Sequence, residues 1–240
     1  LDALAERGIR YDRCYTTSPL CVPARLSLTA GKYISRIGAW NNNTWLPSAD
    51  YPSLPRLLNR VGYESYLCGK MHYDRTRRYG YEDLLPGVRN RSTKTGTGGR
   101  RDPEDTTVNR KSWEERTSKF HVGEHSEVMD GDRLVTARVC EFLDDRDADD
   151  APFFLTAGYL APHFPLIVPE PYYRMYKGRV PMPEIPEGYL ETLPTNYKQV
   201  NLGFGVDHDD EALIRHGREL YWGFVTWLEG VEHLVSINPS

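Results

Sequence analysis

Two short strand-like runs constrain the fold of this chain more than any other feature. Residues 63–68 and 153–159 are too short for helices and rich in aromatic side chains, they are bounded by Gly62 and Gly69 and by Pro152 and Pro162, and the second is expected to be a buried strand. Around them stand stretches with helical periodicity. Residues 53–62 open on Ser53 and close on Gly62. Residues 126–143 carry Val128, Leu134, Val135, Val139 and Phe142 on one predicted inner face. Residues 209–235 form the longest predicted helix, with Leu213, Leu220, Phe224, Trp227, Val231 and Leu234 mostly at three- and four-residue steps. Residues 9–15 largely alternate and predict a further strand, preceded by a short helix over 1–7 that Gly8 closes. Strands alternating with helices predict an α/β fold, a mostly parallel sheet flanked by helices on both faces.

In such sheets ligands bind beyond the carboxyl ends of the strands. Each predicted strand is followed there by polar groups. After the first comes a turn over 16–20 and then Cys21-Val22-Pro23-Ala24-Arg25. Pro23 suits the first turn of a helix, residues 24–29 continue it, and Gly31 stops it. Cys21 is therefore expected at a helix N-terminus, where free N–H groups and the helix dipole favour negative charge. Arg25 lies one turn along the same face. The second strand leads into Gly69-Lys70-Met71-His72, where an extended backbone puts Lys70 and His72 on one face. The third leads into Ala161-Pro162-His163-Phe164-Pro165, whose prolines predict a rigid extended loop. Taken singly, each of these side chains has an ordinary structural explanation. Their common place at one sheet edge points instead to a site: a thiol, two cations and two imidazoles, suited to an anionic substrate.

Composition narrows the class. The length of 240 residues allows one large domain or two small ones. A hydrophobic share of 39% reads as a soluble globular chain, and no run of about 18 apolar residues predicts a membrane span. A net charge of −4 argues against a dedicated nucleic-acid binder. Cys14, Cys21, Cys68 and Cys140 fit neither a zinc spacing nor a disulfide framework. Cys14, Cys68 and Cys140 are expected as buried small hydrophobes. Residues 38–52 predict a surface loop, and 87–125 a long excursion with a basic cluster of Arg89, Arg91, Lys94, Arg100 and Arg101. Residues 144–150 predict an acidic connector, and the proline-rich stretch 169–194 holds a short aromatic helix near 172–176. The chain opens without methionine or leader-like features, which is expected of an entry in mid-domain and leaves periplasmic, extracellular and cytoplasmic locations all open.

The sequence resembles the type I, formylglycine-dependent sulfatases. Cys21-x-Pro23-x-Arg25 followed by Leu26-x-x-Thr29-x-Gly31-Lys32-Tyr33 looks like their signature, Gly69-Lys70-Met71-His72 resembles their second motif and Pro162-His163-Phe164-Pro165 their third. Residues 1–15 are similar to the family's lead-in to the cysteine, and 221–228 to a later helix. Residues 182–190 resemble the choline-sulfatase-like and iduronate-sulfatase-like branch. The resemblance implies an alkaline-phosphatase-like α/β fold and hydrolysis of a sulfuric ester, on a sulfated small molecule or glycan. It implies that a formylglycine-generating enzyme oxidises Cys21, that the hydrated aldehyde attacks sulfur with the help of a bound Ca²⁺, and that its second hydroxyl ejects sulfate. By the same resemblance Arg25 and Lys70 hold the formylglycine oxygens and neutralise charge. His72 takes the gem-diol proton, and His163 binds sulfate and assists the leaving oxygen. Cys21, as formylglycine, is also a calcium ligand on this reading.

The pattern departs from the family in its metal ligands. The paired aspartates of a first strand and the Asp-Asn or Asp-His pair of a later strand have no counterparts, so residues 1–240 are expected as a partial N-terminal catalytic domain, without that first strand and the C-terminal part. Asp207-His208-Asp209-Asp210 precedes the long helix and reads as its start. Residues 230–240 drift from the family helix, which is expected of truncation or a frame change. Two alternatives stand beside the sulfatase reading. One is a phosphonate monoester or phosphodiester hydrolase of the same superfamily. The other is a non-catalytic remnant that serves as a scaffold.

Overall fold

Leu67 and Cys68 are neighbours on one strand, and each meets a different core. Leu67 packs in a buried cluster with Val22, Leu26, Ile37, Ala39, Leu46, Met71, Tyr73 and Tyr79. Cys68 packs with Val135 and Val139. Successive side chains on a strand point to opposite faces, so this strand is covered on both.

The computed structural model describes residues 2–73, 76–86, 110–205 and 210–236. The chain divides into two units, one of Leu1–Thr97, Gly131–Leu160 and Val231–Ser240, the other of Gly98–Asp130 and Ala161–Gly230. In the first, helices α1 (Asp2–Arg7), α2 (Cys21–Ala30), α3 (Ile34–Ile37) and α4 (Leu54–Asn59) precede strands β1 (Glu64–Gly69) and β2 (Glu82–Asp83). The second opens with α5 (Arg110–Thr117) and β3 (His121–Val122), and α6 (Glu127–Asp144) leads back to the first, which adds β4 (Phe153–Gly158). Strand β5 (Ile167–Val168) and helices α7 (Glu170–Tyr176), α8 (Tyr189–Thr192) and α9 (Thr195–Phe204) follow in the second, then α10 (Glu211–Ser236).

The sheet of the first unit has the order β2-β1-β4, all parallel. Strands β1 and β4 run in register from Glu64↔Phe153 to Gly69↔Gly158, so both end at the same height. With α2 on one face and α6 on the other, this is the α/β arrangement expected. The second unit has its own two-stranded parallel sheet of β3 and β5. Local chemistry explains the helix ends. Ser53 accepts from the Arg56 N–H at the start of α4, and its hydroxyl donates to the Tyr79 carbonyl at 2.5 Å. Asp210 Oδ1 accepts from Leu213 N–H at 3.0 Å and starts α10, while Asp207, His208 and Asp209 lie outside the described residues.

Several expectations are corrected. Residues 9–15 form no strand: no described strand pairs with them, and Ile9, Tyr11 and Tyr15 are exposed. A strand without a ladder leaves its backbone to water. Cys14, within that stretch, is exposed rather than buried. Leu134 is exposed on α6, whereas Val128, Val135, Val139 and Phe142 are buried; it stands about 100° round the helix from Val135, off the buried stripe. Strand β4 is half-exposed, with only Gly158 buried. The loop 38–52 contributes Ala39 and Leu46 to the core. Within the stretch 87–125, α5 and β3 are regular structure; α5 is polar on most sides, with Trp113 its one apolar residue, so it lacks the periodicity that announces a helix. The basic cluster Arg89, Arg91, Lys94, Arg100 and Arg101 lies outside the described residues, as do 237–240. No described helix is long and apolar enough to cross a membrane.

Candidate active site

Helix α2 begins at Cys21 and ends on Gly31, whose positive φ of 61° lets its N–H turn back to the Ser27 carbonyl. The N-terminal end is less open than expected. Val22 N–H donates to Asn42 Oδ1 at 3.0 Å, Ala24 N–H to the Leu20 carbonyl at 3.0 Å, and Pro23 has no N–H to give. The helix dipole still favours an anion at Cys21, but the full positive charge comes from Arg25. Burial lowers the pKa of its guanidinium, while the adjacent Cys21 thiol and Tyr73 hydroxyl oppose the shift; it remains a cation at neutral pH.

Arg25 joins the first two motifs. Its Nη1 donates to the Lys70 carbonyl at 2.8 Å and approaches Met71 Sδ at 3.5 Å. The Lys70 N–H in turn donates to the Gly158 carbonyl at 2.6 Å. Close approach at this corner requires glycine: a Cβ on Gly158 would stand 2.7 Å from Lys70 N, and one on Gly69 would stand 2.7 Å from Val135 Cγ2. Behind them, the Thr29 hydroxyl donates to the Arg25 carbonyl and accepts from the Tyr73 hydroxyl, tying α2 to the residue after His72. Burial raises the Tyr73 pKa far above the phenol range, so this hydroxyl stays protonated.

His72 adopts φ of 58°, in the left-handed region. The segment is therefore not extended there, and the shared face expected for Lys70 and His72 does not follow from alternation. A histidine in this region is uncommon, and such residues cluster at functional sites. The wall of a groove of about 840 Å³ includes Thr17, Ser18, Cys21 and Arg25. The Thr17 hydroxyl is buried in it and makes no hydrogen bond among the described residues.

The structure thus brings Cys21, Arg25, Lys70 and His72 into the first unit. His163 belongs to the second. It is exposed, in a turn rather than an extended loop, with its ring stacked on Phe164 at 4.6 Å and Nδ1 2.7 Å from the Phe164 carbonyl. Cis peptide bonds precede Pro162 and Pro165. Sequence reasoning did not single out Thr17, Asn42 or Tyr73. Tyr73 follows a motif directly, whereas nothing in the sequence ties Asn42 to a helix end 20 residues away. Among the described residues no group of three or more His, Cys, Asp or Glu is placed to hold a metal ion. The set expected of a hard oxygen-liganded cation is therefore not assembled among the described residues, and these do not fit a calcium site.

The cysteines differ in chemistry. Burial pushes the Cys68 thiol up to about 12, while Cys14 is exposed. On brief treatment of the native protein with iodoacetamide at about pH 8, Cys14 is expected to be alkylated and Cys68 spared until denaturant is added. Peptide mass spectrometry reads this directly; native labelling of Cys68 at the rate of Cys14 would contradict its burial.

Comparison with known proteins agrees with this architecture. The Sulfatase family model matches residues 1–228, and the chain belongs to the sulfatase family. An uncharacterized sulfatase of Escherichia coli strain K12, YidJ, is 27% identical over 191 residues, covering 73% of this chain and 35% of that protein. A choline-sulfatase of Rhizobium meliloti is 26% identical over 242 residues, covering 95% of this chain and 46% of that protein. The chain therefore spans less than half the length of these two relatives. Among solved structures, a phosphonate monoester hydrolase of Agrobacterium radiobacter superposes with a TM-score of 0.66 at 20% identity, over 98% of this chain and 52% of that one. The fold is of the alkaline-phosphatase-like type.

Proposed function

We propose that this chain carries the nucleophile and two cations of a sulfuric ester hydrolase that works through a formylglycine derived from Cys21. The observation that supports it best is the Arg25 Nη1 bond to the Lys70 carbonyl, which joins the two motifs beside the Cys21 groove. The half-buried place of Cys21 at the head of α2, under the field of Arg25, suits a group that must carry negative charge during reaction. Once formed, the hydrated aldehyde supplies one hydroxyl to attack sulfur and a second whose deprotonation releases sulfate. Arg25 and Lys70 offset the charge that builds on the sulfuryl oxygens. His72 accepts the gem-diol proton. His163 is assigned to the sulfate and the leaving oxygen by sequence resemblance. No step is routed through Ca²⁺, because the described residues do not supply its ligands. The substrate class is a sulfated small molecule or glycan, and the maturation partner is a formylglycine-generating enzyme.

A phosphonate monoester or phosphodiester hydrolase is the second reading. A tetrahedral phosphorus oxyanion presents the same charge and similar shape to Arg25 and Lys70, and a phosphonate monoester hydrolase shares the fold. The test has two parts. After co-expression with a formylglycine-generating enzyme, the peptide bearing Cys21 is expected to lose sulfur and gain an aldehyde oxygen; an unmodified thiol sinks both enzyme readings and favours a scaffold. Turnover of aryl sulfate against aryl phosphodiester by the matured protein then separates the two, with sulfate expected to be preferred.

A further inference from the structure

The second unit holds a cavity that the proposed chemistry does not use. Its volume is about 800 Å³, in the range of small-molecule sites, and it shares no lining residue with the Cys21 groove. Trp113, Phe120, Tyr221 and Trp222 supply aromatic wall. The Trp222 indole is 45% exposed yet held in place, stacked on Tyr176 with ring centroids 6.3 Å apart and edge-on to Tyr221 at 6.1 Å. Gly217 lets Phe120 close against α10, since a Cβ there would stand 2.9 Å from the Phe120 ring. Two charged residues of α10 also line the cavity, Glu211 and Arg218. They are seven apart, hence on one helix face. Arg218 Nε is buried and has no hydrogen-bond partner among the described residues. A solvent-inaccessible Nε cannot itself reach a ligand, so what Arg218 offers the cavity is the guanidinium charge and its remaining N–H groups.

We propose that this cavity binds an acidic sugar, a pyranose ring carrying one sulfate or carboxylate. The guanidinium fork of Arg218 matches an oxyanion. Aromatic faces cover the apolar face of a sugar ring. The Glu211 carboxylate accepts from ring hydroxyls and repels a second negative charge, which limits the ligand to one. A neutral sugar leaves Arg218 unmet, inorganic sulfate leaves the aromatic walls bare, and an aryl sulfate leaves Glu211 without a donor.

The test uses ¹⁵N-labelled chain with Cys21→Ala, so that no turnover consumes the probe. The indole N–H resonances of Trp113 and Trp222, assigned with Trp→Phe variants, are followed during titration with glucose 6-sulfate, glucuronate, glucose, phenyl sulfate and inorganic sulfate. Both acidic sugars are expected to shift both resonances saturably, and the other three probes to bind at least about tenfold more weakly. Arg218→Gln is expected to reduce the acidic sugars to the level of glucose. Trp222→Leu, at a half-exposed position, is expected to weaken all the sugars and serves if the arginine variant fails to fold. Absence of shifts with the acidic sugars overturns the proposal, as does an Arg218→Gln protein that binds them unchanged. Phenyl sulfate binding as tightly as glucose 6-sulfate overturns the sugar assignment. The readout involves neither catalysis nor maturation of Cys21, so its failure is distinct from failure of the sulfatase reading.

Discussion

Arg25→Ala is expected to lower kcat for an aryl sulfate by about 10²- to 10³-fold in the matured enzyme. Removal of one preorganised electrostatic donor from a water-poor site costs about that much. The side chain has two jobs here. Its charge stands beside Cys21, and its Nη1 holds the Lys70 carbonyl at 2.8 Å. The alanine variant leaves that carbonyl without its charged donor, which adds about 1–3 kcal/mol of destabilisation. Arg25→Lys separates the two jobs. A lysine keeps a positive charge but has no planar fork, so it is expected to retain stability better than activity. Steady-state kinetics on both variants, with thermal melts in parallel, check the prediction. An alanine variant within about threefold of the parent kcat would remove Arg25 from the chemistry.

Gly158→Ala is expected to destabilise the first unit by at least about 3 kcal/mol, at the upper end of overpacking costs. The added Cβ would stand 2.7 Å from Lys70 N and 2.8 Å from Lys70 C. Those are backbone atoms, so no side-chain rotation relieves the clash. The end of β4 must move away from the end of β1, and the 2.6 Å bond from Lys70 N–H to the Gly158 carbonyl is lost or stretched. For a chain of this size the melting temperature is expected to fall by about 6–12 °C. Activity is expected to fall further than stability explains, because Lys70 moves with the strand. A variant that melts within about 2 °C of the parent would show that the strand ends do not meet this closely.

Much of the first unit was legible in the sequence because its signals are local. Pro23 and Gly31 mark both ends of α2, Ser53 caps α4, and the run 63–68 becomes β1 almost residue for residue. The sheet edge was legible too, since Gly69 and Gly158 end two strands that pair in register. What was not legible depends on partners distant in sequence. The alternation of 9–15 looks like a strand, but alternation alone supplies no ladder. Asn42 closes the N-terminal end of α2 from a loop whose composition marked only a surface turn. Tyr73 is fully buried because Thr29 and the packing around Tyr79 receive it, neither of which its own neighbours announce. Helix α5 is nearly all polar and was concealed by its lack of an apolar stripe. Within the site, the first two motifs proved to be in contact, while the left-handed backbone of His72 is a conformation that spacing cannot report.

The grip on Lys70 takes hold of that residue's main-chain atoms. Arg25 takes the carbonyl from one side and Gly158 takes the N–H from the other, and no atom of the lysine side chain is part of either bond. Position and chemistry are therefore separate properties at this residue. The peptide acts as a fixed socket, and neither of these two bonds depends on the head that it presents. Such a division favours diversification: the corner of the sheet keeps its shape while the group displayed there is retuned from one oxyanion to another.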